Sequence, residues 1–290
     1  MRHIALPVAL GAVTLAACLV WAPTAAAADV DSLLQSRLAN PRLGSDTAMI
    51  VIDAATGDVI SGQSPDEAQL PASTMKIITA VATLATLGEE HQFTTSVLQG
   101  ATAETGTEVI LRGGGDPLLT RTDLEELARS TAKSIREAHR QAGGTGKPKV
   151  TVRVDTSLFP DSGRAPGWPS DYVPSVASAV QSLALLGDYS TNPSANAAKA
   201  FASYLRDNGV KATLGGPVAG TPQDAHVLAE TSAHTSGQAI KRMLNESENN
   251  VAEVLHRHVA LARGLAPDWQ GATTATVDVL RELGLDPSGQ

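Results

Sequence analysis

The stretch that most constrains the fold is a run of apolar and small residues at positions 77–87, which directly follows Pro71-Ala72-Ser73-Thr74-Met75-Lys76. Because the run is apolar nearly all round, it predicts a helix that is buried in the middle of a domain. The proline before the run and Gly88 after it are ordinary start and stop signals for a helix. We therefore expect Ser73 at the N-terminus of a buried helix, with Lys76 one turn further along the same face.

A serine and a lysine in this arrangement favour nucleophilic catalysis. A serine hydroxyl is a weak nucleophile at neutral pH and needs a base beside it. Burial disfavours the charged form of a lysine, so that Lys76 can act as this base. The helix N-terminus also favours negative charge that develops at Ser73. The alternative is a capping serine that a lysine happens to follow, and the pattern alone leaves both interpretations open.

A second Ser-x-x-Lys copy, Ser130-Thr131-Ala132-Lys133, falls inside an amphipathic helix predicted at 122–141. Its serine and lysine point away from most of the apolar stripe of that helix, beside Glu126 and Glu137. We interpret this copy as a solvated helix face.

His256 and His258 are two positions apart, which on a helix places them on different faces. They do not form a metal pair by spacing, and we expect both to be surface histidines. The sequence predicts no metal site and no cofactor.

Acyl transfer also needs a proton route to the leaving group and a polar anchor for the substrate. A hydroxyl and an amide on one short loop supply both, and Ser-x-Asn occurs at 190–192, 194–196 and 247–249. The first two crowd around a proline, where turn and helix-cap chemistry explains them. The third lies between two predicted helices, which is a rigid place for a site. We therefore expect Ser247 and Asn249 to belong to the site.

The start of the chain predicts export. Residues 1–28 combine Arg2, an apolar run at 4–21 and four alanines before Asp29, which is the pattern of a secretory signal peptide. Lipid attachment at Cys18 and a retained membrane anchor are alternatives. We expect a secreted or extracytoplasmic protein with peripheral or no membrane association, and the net charge of −8 argues against nucleic-acid binding.

The remaining pattern predicts two interleaved domains. A strand hairpin at 47–63 and helices near the C-terminus form a main domain, at 29–92 and 226–290. Strand, helix and strand patterns between them predict a small α/β unit inserted at 93–225. A strand at 227–230 is expected to return the chain to the main domain.

Four stretches together resemble the D-alanyl-D-alanine carboxypeptidase/endopeptidases, the class C low-molecular-mass penicillin-binding proteins. They are residues 71–76, the Leu-Arg-Gly-Gly-Gly-Asp-Pro turn at 111–117, residues 168–174 and residues 243–253. The resemblance implies an α/β (α+β) fold, in which an antiparallel sheet packs on helices and carries an inserted small α/β domain. It also implies the roles of the site residues, which are nucleophile for Ser73, base for Lys76, proton relay for Ser247 and substrate-amide ligand for Asn249.

The function implied by this resemblance is an exported serine DD-peptidase that acts on peptidoglycan peptides ending in D-Ala-D-Ala and is acylated by β-lactams. One alternative is an inactive or fragmentary wall-binding protein of the same fold. A β-lactamase-type hydrolase is the other, disfavoured by the long insertion and by the lack of an evident deacylating carboxylate near Ser73.

The third motif of this family, Lys-Thr-Gly on an edge strand, does not occur between Ser247 and Gln290. We therefore expect the sequence to be a truncated chain. Since this strand supplies an oxyanion donor and a carboxylate anchor, we expect the 290-residue chain to react poorly with penicillin and to fold poorly.

The signal-peptide pattern predicts where the secreted protein begins. Secreted material should begin at Asp29 and contain no thiol, because Cys18 is the one cysteine in the sequence. Intact-mass analysis of the secreted protein checks this. A diacylglycerol adduct on Cys18 would contradict it.

Overall fold

The computed structural model describes residues 25–103, 106–160, 165–221 and 224–287. It divides the chain into two units, one up to Pro71 and one from Ala72 onward. The apolar run at 4–21 that predicts export lies outside the described residues. Within the described ranges, no helix is both long and apolar enough to cross a membrane.

The first unit contains a helix and a strand hairpin. Helix α1 spans Ala25–Leu38, and strands β1 (Met49–Ile52) and β2 (Val59–Gln63) pair antiparallel. The Asp53 carboxylate forms the turn between the strands by accepting hydrogen bonds from two backbone amides, one of them Ala55 N at 2.8 Å. The predicted hairpin is thereby confirmed.

The second unit mixes helices and strands along the chain. In chain order its elements are α2 (Met75–Leu87), β3 (Thr95–Ala103), β4 (Gly106–Arg112), α3 (Arg121–Gln141), β5 (Lys149–Asp155), α4 (Tyr172–Ser175), α5 (Pro193–Asp207), β6 (Lys211–Val218), β7 (Val227–Thr231), α6 (Ser236–Glu246), α7 (Asn249–Ala262) and α8 (Trp269–Glu282).

The strands of this unit form one mixed sheet in the order β6-β5-β4-β3-β7. Strands β4, β5 and β6 run parallel, joined by crossovers through α3 and α5, while β3 is antiparallel to both β4 and β7. Helices α3 and α5 pack against each other. The architecture is therefore α+β, as predicted.

The main core lies between the sheet and these two helices, because alternate residues of the strands and one stripe of each helix are apolar. Its fully buried members include Val97, Val109, Leu111, Leu124, Val152, Phe201 and Leu205.

Two strands differ from the sequence-based expectation. Strand β6 escapes the sequence pattern because it contains Gly215, Gly216 and Pro217, which are poor strand residues. Pro217 is tolerated because β6 is an edge strand, so its missing amide hydrogen does not cost the sheet a ladder hydrogen bond. Strand β7 does not return the chain directly to the main domain as expected, since it pairs with β3 in the five-stranded sheet. The insertion itself remains a proposal.

The chain enters and leaves this sheet along two adjacent segments. Ser236 N donates to His91 O at 2.8 Å, and Phe93 N donates to His234 O at 3.4 Å. Further on, the hydroxyls of Thr94 and Ser232 lie 2.7 Å apart. The two connections to the helices are therefore held together by hydrogen bonds before the sheet begins.

The turn after β4 needs its glycines for close approach. A Cβ on Gly114 would lie 1.8 Å from Thr94 O. Gly115 has φ +70°, and a Cβ there would lie 2.4 Å from His258 Nε2. A side chain at either position would push the turn away from the residues that it contacts.

His258 is a core residue, so the expectation of a surface histidine is wrong. Only 6% of it is exposed, and its Nε2 donates to Gly115 O at 2.9 Å. Its ring lies 4.7 Å from that of Phe93 and 5.5 Å from that of Phe159, measured between centroids. Burial lowers the pKa of His258 to about 4, and burial together with the charge of Arg257 lowers the pKa of His256 to about 4.

These two histidines predict a loss of stability in acid. Because their folded-state pKa lies below the ordinary value, the unfolded state binds protons more readily between about pH 6.5 and 4. The free energy of unfolding should fall as the pH falls through this window, by at most about 3 kcal/mol for each histidine. Urea unfolding followed by circular dichroism at several pH values measures this.

The matched variants are His258→Gln, which keeps a donor for Gly115 O, and His226→Gln at an exposed position. The first should flatten the dependence on pH, and the second should not. An unchanged slope in His258→Gln would contradict the assignment.

Candidate active site

Ser73 lies in a 3₁₀ turn, Ala72–Thr74, that leads directly into α2. Ala72 has φ 45°, a left-handed conformation that costs a non-glycine residue energy. This bend turns the chain into the helix and leaves the Ser73 side chain exposed. The α-helix itself begins at Met75, two residues later than Ser73.

Helix α2 is less buried than its sequence predicts. It packs against α6, α7 and α8, which cover one side and bury Lys76, Ala80 and Ala82. Ile77 on another side is 53% exposed. The expectation of a helix enclosed all round is therefore wrong for the described residues, whereas the burial of Lys76 is as predicted.

The Ser73 hydroxyl and the Lys76 amine are in contact. Lys76 Nζ lies 3.3 Å from Ser73 Oγ, and Lys76 is only 8% exposed. Burial lowers the pKa of Lys76, and the negative charge of Glu253 opposes this effect without reversing it. The amine therefore loses its proton more readily than an ordinary lysine, as a base for Ser73 must.

Ser247 approaches Ser73 from the turn between α6 and α7. Its hydroxyl donates to Ser73 Oγ at 2.8 Å, although the two residues are 174 positions apart. Ser247 has φ 56° and ψ 35°, a left-handed conformation at the C-terminus of α6. The strained backbone sends the chain directly from one helix into the next, with the hydroxyl on the side of Ser73.

Asn249 connects Lys76 to a third segment of the chain. Its Oδ1 accepts from Lys76 Nζ at 2.6 Å, and its Nδ2 donates to Val176 O at 3.1 Å. The structure thus brings together the four residues singled out in the sequence, Ser73, Lys76, Ser247 and Asn249. The arrangement can deprotonate one hydroxyl and pass a proton through another.

Glu248 fixes the turn that carries Ser247 and Asn249. Tyr189 Oη donates to Glu248 Oε2 at 2.6 Å, and Arg242 lies 3.1 Å from Oε1 of the same carboxylate. The hydrogen bond to this carboxylate raises the pKa of Tyr189. Sequence reasoning missed this contact because 59 positions separate its partners and no spacing rule connects them.

The other Ser-x-Asn motifs and the second Ser-x-x-Lys copy have structural roles. Asn192 caps α5 by accepting from Ala195 N at 3.2 Å, and Ser194 N donates to Gln181 Oε1 at 2.9 Å. Ser130 and Lys133 are exposed on α3. Among the residues described, no group of three or more histidine, cysteine, aspartate or glutamate side chains could hold a metal ion.

Comparison with known proteins identifies one family. The model of the D-Ala-D-Ala carboxypeptidase 3 (S13) family matches residues 30–191 and 175–290. The carboxypeptidase DacB of Mycolicibacterium smegmatis is 33% identical over 282 residues, covering 92% of this chain and 60% of that protein. The D-alanyl-D-alanine carboxypeptidase of an Actinomadura species is 25% identical over 337 residues, covering 90% and 62%.

Among solved structures, penicillin-binding protein 4 of Haemophilus influenzae matches with a TM-score of 0.62 at 21% identity. The match covers 86% of this chain and 70% of that chain, and shows that the two share a fold. The chain spans about 60% of the length of the curated relatives that it matches.

The Tyr189–Glu248 contact predicts how firmly the turn is held. In Tyr189→Phe the loss of one hydrogen bond to a charged group should speed amide exchange around residues 247–249 by about tenfold. Hydrogen exchange with mass spectrometry measures this. Tyr204→Phe, on α5, is the control and should leave the exchange of this segment unchanged. Equal exchange in Tyr189→Phe and the unmodified chain would show that Arg242 alone holds Glu248.

Proposed function

Because the chain belongs to the D-Ala-D-Ala carboxypeptidase 3 (S13) family, we propose that it is the catalytic part of a serine DD-peptidase with an acyl-enzyme at Ser73. The substrates are peptidoglycan stem peptides that end in D-alanyl-D-alanine. The observation that carries the proposal is the position of Ser73 Oγ, 3.3 Å from Lys76 Nζ and 2.8 Å from Ser247 Oγ.

Acylation begins with proton transfer from Ser73 to the neutral amine of Lys76. Ser73 Oγ forms a bond to the carbonyl carbon of the penultimate D-alanine, and the oxygen of that carbonyl takes the negative charge. The bond between this carbon and the nitrogen of the last D-alanine then breaks.

Ser247 carries the proton to the leaving amine in this proposal, and the contact of its hydroxyl with Ser73 Oγ supports that role. Water then hydrolyses the ester and releases the shortened peptide. When the scissile bond belongs to a cross-link between two peptides, the same steps constitute an endopeptidase reaction.

Within the part of the chain that the structure describes, one hydrogen-bond donor of Asn249 is left for the substrate. Its side-chain amide has two N–H groups, of which one donates to Val176 O. Its Oδ1 is engaged by Lys76. We assign the second N–H to the substrate's backbone carbonyl, so that Asn249 orients the base and the peptide at once.

The cell-wall substrate implies an extracytoplasmic location, and the signal-peptide pattern at 1–28 supports it. Penicillin-binding protein 4 of Haemophilus influenzae has been solved with a β-lactam bound. We propose that β-lactams acylate Ser73 in the same way, because their strained amide mimics the D-alanyl-D-alanine bond. Nucleic acid is not expected as a partner.

Covalent labelling tests the proposal. The protein expressed from its complete gene should form an adduct with fluorescent penicillin, mapped to Ser73 by peptide mass spectrometry. Ser73→Ala should abolish the adduct, and Lys76→Ala should slow its formation by about 10²–10⁴-fold because the hydroxyl loses its base. Absence of an adduct in the unmodified protein would refute the proposal.

The choice of relay serine has its own matched test. Ser247→Ala should slow acylation strongly, whereas Ser194→Ala should leave the rate nearly unchanged, since Ser194 lies in the cap of α5. Stopped-flow measurement of the acylation rate checks both. Equal effects of the two substitutions would remove the reason for assigning the relay to Ser247.

A further inference from the structure

Glu253 lies next to the site and takes no part in the steps above. It is four residues after Asn249 on α7, so the two side chains share one face of the helix, one turn apart. Lys76 Nζ lies 2.6 Å from Asn249 Oδ1, which places the end of the lysine over this face. Glu253 therefore lies on the same face of α7 that the Lys76 amine contacts through Asn249.

Helix α8 holds the Glu253 carboxylate in place. Trp269 Nε1 donates to Glu253 Oε2 at 3.1 Å. The Arg257 guanidinium lies 3.9 Å from the centroid of the Trp269 ring, and Arg257 Nη1 donates to Pro267 O at 2.8 Å. Arg257 is fully buried, so these groups form a fixed layer of charges and dipoles between α7 and α8.

Few charges act on the two groups. Glu253 is the charged residue that acts on Lys76 among the residues described, and it raises the pKa of that amine against the larger effect of burial. Burial raises the pKa of Glu253, which is opposed by Trp269 of α8, Arg257 of its own helix and Lys76 of α2. Each of the two residues thus shifts the pKa of the other, and Lys76 is the smallest of the effects on Glu253.

We propose that Glu253 is a positioning residue for Lys76: its carboxylate stabilises the ammonium that Lys76 becomes when it takes the proton of Ser73. The inference rests on the proposed function only in that Lys76 is named as the base. Its physical content is a coupling between Glu253 and Lys76 that is present whether or not a substrate is bound.

This coupling sets the strength of the base. Burial alone would make Lys76 a weak base, because the cation that it must become would be surrounded by low-dielectric protein. A fixed carboxylate offsets part of this cost at the moment when the proton arrives, with no reorganisation of the site. The hydrogen bond from Trp269 orients the carboxylate and opposes the rise in its pKa that burial causes.

The test measures the titration of Lys76 directly. Acetic anhydride acylates only neutral amines, so the labelling rate of each lysine as a function of pH, followed by peptide mass spectrometry, gives the midpoint of its titration. In Glu253→Gln the midpoint of Lys76 should move to lower pH than in the unmodified chain. Glu253→Asp, which keeps the charge, should move it back toward the original value.

Two controls accompany these variants. Glu246→Gln removes a carboxylate at an exposed position at the end of α6 and should leave the Lys76 midpoint unchanged. Lys133, in the exposed second Ser-x-x-Lys copy, should be labelled at the same rate in every variant. The inference is overturned if Glu253→Gln leaves the Lys76 midpoint where it was, or if Glu246→Gln moves it as far.

A further variant keeps the test informative if Glu253→Gln does not fold, as judged by circular dichroism. Trp269→Phe retains the carboxylate but removes its donor, so Glu253 binds a proton more readily and supports the ammonium less. The Lys76 midpoint should again move to lower pH, by less than in Glu253→Gln, and an unmoved or raised midpoint overturns the inference.

The outcome is separable from that of the proposed function. A shifted Lys76 midpoint in a protein that penicillin does not label leaves the coupling standing and removes the enzymatic role. An unshifted midpoint in a protein that penicillin labels at Ser73 removes the coupling and leaves the enzymatic role standing.

Discussion

The hydrogen bond between Lys76 and Asn249 is the interaction on which the rest of the site depends. It joins α2 to α7 across 173 positions of sequence, at 2.6 Å. Because Asn249 also donates to Val176 O, the same side chain fixes the segment that borders the site. The position of Ser247 follows from this contact, since Ser247 is only two residues from Asn249 in the same turn. One buried amine therefore determines where three separate segments meet.

The local parts of the site could be predicted from the sequence, and the contacts between distant segments could not. Ser73 and Lys76 are one turn apart, so their proximity follows from helix geometry. Ser247 could be chosen because a short turn between two helices is a rigid position. The Tyr189–Glu248 contact has no such signal, and Glu253 acquires its meaning only when Trp269 of α8 is seen beside it.

The same limit explains the errors about the fold. Burial is a property of the neighbours, so an apolar pattern could not reveal that Ile77 of α2 is half-exposed or that His258 is enclosed by two phenylalanine rings. Strand β6 contains residues that weaken strands, and only its place at the sheet edge makes them acceptable. The local sequence pattern predicted the structure correctly wherever the packing of neighbouring elements agreed with it.

The paired segments at the entrance to the sheet have a consequence for how such a chain can change. Since Phe93 and His234 are already hydrogen-bonded to each other, everything between them is a loop whose ends are joined at its base. Lengthening a closed loop of this kind adds little entropic cost, about 0.6 kcal/mol for each doubling. We infer that exposed turns of this segment can lengthen at little cost to the spacing of the helices, provided that Val176 keeps its contact with Asn249.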